Sequence, residues 1–144
     1  MPLKETSLKW MTILSILVAH LYVDITQNSL PIIFPHLRNV FHLNYAQIGL
    51  LVTVMNVTSS IIQPIFGYIH DRLQSNWMMA MGIVWTALFI GLVGVMPSYW
   101  LLLVCTGAAG IGTAAFHPAA ALATSAASGS RKAFGMSFFA LGGN

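Results

Sequence analysis

Apolar residues run along this chain in long blocks, broken by short polar joints. Four blocks are long enough to cross a bilayer as helices, which takes about 20 mostly apolar residues. They cover residues 10–34, 45–69, 77–96 and 99–123. A fifth block, 133–144, is too short: twelve residues rise about 18 Å as a helix, against about 30 Å of hydrocarbon. The joint between the third and fourth blocks is only Pro97-Ser98, which predicts an antiparallel helical hairpin. The pattern predicts an all-α membrane protein with four transmembrane helices and a truncated fifth, so the chain reads as the front of a longer protein.

Composition supports lipid as the solvent. Of the 144 residues, 57% are hydrophobic and 6% charged, whereas a soluble domain carries about 25% charge. No basic run exceeds Arg131-Lys132, so no nucleic-acid partner is expected. Cys105 is the single cysteine and reads as a small buried hydrophobe. Aromatic residues gather at the block ends (Trp10, Phe34, Tyr45, Tyr68, Trp77, Tyr99 and Trp100), as in an interfacial belt. Lys4, Lys9, Arg72, Arg131 and Lys132 fall on one side of the membrane and Arg38 on the other. That asymmetry predicts a cytoplasmic N-terminus in the cell inner (plasma) membrane.

The polar residues inside the blocks are few and periodic. His20, Asp24, Gln27 and Asn28 fall within an arc of roughly 100° on the first helix, at about 100° per residue. Asp24 lies near mid-bilayer, where an ionisable side chain is expensive and faces a bundle interior or a watery cavity. An acid one turn from an imidazole can exchange a proton with it, or can merely fix helix packing. Asn56, Ser60, Gln63 and Gly67 form a second stripe, bent by Pro64, and this stripe suits either helix contact or a pore wall. The fourth block is rich in Gly and Ala, which let helix backbones approach closely. Thr106, Gly110, Thr113 and His117 share one of its faces, and Pro118 predicts a kink beside His117.

There is no phosphate loop, no zinc-protease helix and no Cys-x-x-Cys pair. With three acidic residues in all, an enzyme is not expected, nor is a cofactor or a metal site. Three function classes compete on these residues. One is a transporter whose partners are the bilayer, a small-molecule substrate and protons. A second is a small four-helix structural or assembly protein. The third is an intramembrane metal enzyme using His20, Asp24 and His117, which lacks a second acid to orient its histidines.

Gly67-Tyr-Ile-His-Asp71-Arg72 resembles the Gly-x-x-x-Asp-Arg/Lys signature of the major facilitator superfamily, with Leu73-Gln74-Ser75-Asn76 in place of its usual basic continuation. Further motifs are similar to the fosmidomycin resistance protein branch of that superfamily: His20-x-x-x-Asp24, Leu30-Pro31, Gln47-x-Gly49, Ser59-Ser60-x-x-Gln63-Pro64-x-x-Gly67, Phe116-His117-Pro118 and Gly142-Gly143-Asn144. The resemblance implies a twelve-helix fold in two halves and export of small drugs in exchange for protons. It makes this chain the N-terminal part of the first six-helix bundle, working with the C-terminal helices of the same protein. On that reading Asp24, His20 and His117 carry proton coupling, and Gln27, Asn28, Asn56, Ser60 and Gln63 line the substrate pathway. Gly67, Asp71 and Arg72 would form the cytoplasmic gate.

Overall fold

The structure, a computed structural model, describes residues 8–73 and 77–143. Lys4, Gln74, Ser75, Asn76 and Asn144, used above for orientation and motif matching, lie outside the described residues. Six helices follow in order: α1 Trp10–Asn28, α2 Leu30–Phe41, α3 Tyr45–Leu73, α4 Trp77–Val93, α5 Tyr99–Ala127 and α6 Lys132–Gly142. No strand occurs among the described residues. The stretches Trp10–Phe41, Tyr45–Leu73 and Tyr99–Ala127 are each long and apolar enough to cross a membrane. The 17-residue α4 is apolar but shorter.

α2, α3 and α5 outrun the hydrophobic blocks, whereas α4 stops at Val93, short of the predicted end at Met96. α2 passes Arg38, and α3 passes Asp71 and Arg72, because a charged side chain does not interrupt the backbone hydrogen-bond ladder. The first block is not one helix but two, joined at Ser29. Pro31 sits in the first turn of α2, and having no N–H it cannot donate to the carbonyl one turn back. Ser29 bridges the joint: its N–H donates to the Ile25 carbonyl at 2.9 Å and its hydroxyl to the Thr26 carbonyl at 2.7 Å.

The turn into α3 is built from capping chemistry. His42 takes the left-handed conformation (φ 51°) that ends α2, and the Leu43 N–H closes back on the Arg38 carbonyl at 3.1 Å. Asn44 and Gln47 then form a reciprocal capping box, each side-chain oxygen accepting the other's backbone N–H at 2.9 Å. Arg38 lies over the Tyr45 ring, 4.4 Å from its centroid. On the other side, the Tyr99 hydroxyl of α5 donates to the Gln47 carbonyl at 3.0 Å.

α5 is the central helix, packed between α3 and α4 and touching α1 and α6. Its glycines explain the closeness. A Cβ on Gly110 would meet the Met55 carbonyl of α3 at 2.5 Å. A Cβ on Gly112 would meet the Thr86 nitrogen of α4 at 2.8 Å and the Gly82 carbonyl at 2.9 Å. Thr86 bonds across this seam to the Ala109 carbonyl, and the Trp85 indole donates to the Ala108 carbonyl at 2.8 Å. α6 folds back onto α1, where Trp10 meets Phe134 and Phe138 edge-on with centroids 5.6 and 5.7 Å apart. Two apolar clusters result, one around Leu30, Leu51, Met55 and Leu102, the other around Ile16, Val23, Phe116 and Ala120. The polar residues of α1, α3 and α5 lie between them.

Candidate functional site

Between α1, α3 and α5 is a cavity of about 290 Å³ with a polar lining: Asp24, Gln27 and Asn28 from α1, Asn56, Ser59, Ser60 and Gln63 from α3, and Thr113 and His117 from α5. Helical spacing produces this lining. Positions 24, 27 and 28 share one face of α1, as do 56, 59, 60 and 63 on α3, and 113 and 117 lie one turn apart on α5. All five residues predicted for a substrate pathway thus meet in one wall. Ser59 and Thr113 join them. Ser59 was not singled out as a pathway residue, although it lies three residues after Asn56 and four before Gln63. Thr113 was placed on the face of His117 but was not assigned to the pathway.

Asp24 is held between two histidines. Its Oδ2 lies 3.6 Å from His20 Nε2, and its Oδ1 3.8 Å from His117 Nε2. The two imidazoles meet edge to face with centroids 5.0 Å apart. His20 is buried behind Asp24, away from the cavity. Its Nδ1 donates to the Phe139 carbonyl of α6 at 2.7 Å, and its ring stacks on the Phe139 ring with centroids 4.1 Å apart. A carbonyl can only accept. The hydrogen bond therefore fixes the proton on Nδ1 and turns Nε2, the nitrogen free to gain or lose one, toward Asp24. His117 Nδ1 is buried and makes no hydrogen bond with the described residues.

The end of α6 closes over this cluster through glycine. A Cβ on Gly143 would stand 2.8 Å from His20 Nε2 and 3.1 Å from Asp24 Oδ2, and one on Gly142 would meet the Leu17 carbonyl at 2.9 Å. Bare backbone is what fits there. This part of the Gly-Gly-Asn motif has a steric reason that no spacing rule reveals.

The Gly67-to-Arg72 motif lies elsewhere, at the far end of α3. Asp71 and Arg72 are exposed and pair with no other described residue across 4 Å. Arg72 lies over the Tyr68 ring, 5.1 Å from its centroid. Gly67 packs beside Pro118 of α5, where a Cβ would make only ordinary contact at 3.8 Å. The structure does not bring these three residues to the polar cavity.

The profile of the Major Facilitator Superfamily matches residues 16–144. The chain is 31% identical over 130 residues to the fosmidomycin resistance protein of Escherichia coli (strain K12), covering 90% of this chain and 32% of that protein. It is 28% identical over 151 residues to the uncharacterized MFS-type transporter YfnC of Bacillus subtilis (strain 168), covering 99% and 36%. A galacturonate transporter of Dickeya chrysanthemi is 28% identical over 122 residues, covering 85% and 35%. The chain thus spans about a third of the length of these relatives. No solved structure gives a significant match.

Proposed function

Because the chain belongs to the Major Facilitator Superfamily, a family of multi-pass membrane transporters, we propose that it builds the leading helices of the first six-helix bundle of a secondary transporter that exports small polar molecules in exchange for protons. The observation that carries this reading is the polar cavity between α1, α3 and α5, bounded by the one acid placed deep in the spans. Polar groups inside a membrane are retained where they serve a pathway. In such transporters the site lies near the midplane between repeats, and access alternates as one bundle rocks against the other. The fosmidomycin resistance protein among the relatives supports a drug-like substrate.

The chemistry follows from the cluster. Gln27, Asn28, Asn56, Ser60 and Gln63 offer amide and hydroxyl groups that can both donate and accept, which suits a polar substrate of varied shape. Asp24 takes or releases a proton at the cavity edge, and His20 Nε2, 3.6 Å behind it, is the base that shares it. His117, 3.8 Å from the other carboxylate oxygen, senses the same charge from α5. Gly67, Asp71 and Arg72, at the end of α3, serve as a cytoplasmic gate. The basic residues Lys9, Arg72, Arg131 and Lys132 face the cytoplasm, and Arg38 faces the opposite side.

The test is efflux of fosmidomycin from vesicles holding the complete protein under an imposed pH gradient. Asp24→Asn keeps the size and much of the hydrogen bonding but cannot exchange the proton, so gradient-driven efflux should be lost while membrane insertion persists. Wild-type efflux in Asp24→Asn would overturn the coupling role. Orientation is checked separately with single cysteines at Ser130 and Asn39 on a Cys105→Ser background. Labelling of Asn39→Cys alone is expected from outside intact cells, and external labelling of Ser130→Cys would reverse the topology.

A further inference from the structure

We propose that His20, Asp24 and His117 form a binding site for a divalent first-row transition cation, with Zn2+ as its natural occupant. The ligand atoms of all three lie within 4.8 Å of one another, and the carboxylate oxygens stand 3.6 and 3.8 Å from the two Nε2 atoms. Zn2+ binds imidazole nitrogen and carboxylate oxygen at about 2.0–2.2 Å, which sets neighbouring ligand atoms about 3.3–3.6 Å apart around a tetrahedral ion. The two distances run to different carboxylate oxygens, so bringing one oxygen and both nitrogens to that spacing closes separations of up to 4.8 Å by as much as about 1.5 Å. Each carboxylate oxygen faces a different imidazole, so Asp24 stands between the two rings and can offer one oxygen to an ion there.

A bare cluster of such residues is common; here one of the two histidines is held as a ligand is, while His117 Nδ1 makes no hydrogen bond with the described residues. A metal-binding histidine donates its second N–H to an acceptor that fixes its tautomer and ring plane. His20 does so, with Nδ1 on the Phe139 carbonyl at 2.7 Å and its ring stacked on Phe139. The sequence offers no acid for this task, but a backbone carbonyl of α6 performs it. His20 and Asp24 sit one turn apart on one helix, and Gly143 lies close to His20 Nε2 and Asp24 Oδ2. Asp24 and His117 border the cavity, so the fourth coordination position opens onto water or substrate, as in zinc sites that exchange a ligand. Two nitrogens and a carboxylate favour Zn2+, Co2+ or Ni2+ over Mg2+ and Ca2+, which prefer shells of oxygen.

This assignment does not rest on proton exchange, although a metal ion and a proton would exclude each other from the same atoms. The experiment is titration of the full-length protein in detergent with Co2+ alone, read by its ligand-field absorption. A saturable signal is expected, displaced by Zn2+ and untouched by Mg2+. His117→Gln and Asp24→Asn should each weaken it more than about 100-fold, beyond the loss typical of an outer-shell change. His36→Gln, on the exposed face of α2, should leave it unchanged. Absence of a saturable signal in the wild type would overturn the proposal. So would a signal that survives Asp24→Asn, which separates this site from any other in the full-length protein and serves if His117→Gln fails to fold. Loss of efflux without a Co2+ signal, or the reverse, distinguishes the metal site from the transport reading.

Discussion

α5 meets its neighbours in two unlike ways within eight residues. Through Gly110 and Gly112 it comes up against the backbone and the threonine hydroxyls (Thr58 and Thr86) of α3 and α4. Through Thr113 and His117 it presents polar groups to a cavity that nothing fills with apolar side chains. The first contact is a matter of shape: each added atom would collide. The second is a matter of chemistry: the groups there are polar and line open space. One helix thus acts as a fixed wall on one side and a reactive lining on the other. A transporter bundle needs both, since a site can be handed from one face of the membrane to the other only if the wall carrying it keeps its form.

Three substitutions should pull this contrast apart. The largest structural effect is expected from Gly112→Leu, which drives a side chain into the Thr86 and Gly82 backbone. Overpacking of a tight core costs about 1–3 kcal/mol and occasionally more, and rigid backbone on the far side puts this position at the upper end. A thermal unfolding midpoint in detergent equal to wild type would break the idea of a fixed seam. Asp24→Asn comes next: a midpoint close to wild type, with gradient-driven efflux lost as described above. The smallest effect belongs to Ser59→Ala, where stability should stay within about 0.5 kcal/mol, as for surface changes away from special features. Its apparent KM for substrate should rise a fewfold with little change in maximal rate. An unchanged KM would place Ser59 outside the pathway.

Much of this was legible because it is local. The helical positions of His20, Asp24, Gln27 and Asn28, and of Asn56, Ser60 and Gln63, follow from one period along one helix. His117 could be suspected from its place beside Pro118, but its approach to Asp24 depends on how α5 crosses α1, which no single-helix pattern carries. The Phe139 carbonyl was invisible in principle, since every residue has one and only packing selects it. Gln47 carried a second meaning that went unread. It entered as part of a family motif, whereas the Asn44-x-x-Gln47 pair is a plain helix-start signature whose two bonds the structure shows. Leu30-Pro31 entered as a family motif too, and its proline also signalled the helix start beside Ser29.

That break has a mechanical meaning. A continuous helix resists bending along its whole length, because tilting one part strains every hydrogen bond in the ladder. Pro31 removes a rung of the first span near Ser29, and Pro35 removes another inside α2. Asp24 lies five residues below Ser29, about 7.5 Å along the axis, and His20 a further turn down. Flexure is therefore concentrated above the cluster and does not pass through it. Both missing rungs fall in α2, while the unbroken ladder of α1 keeps His20 against Phe139 and Asp24 between its two imidazoles.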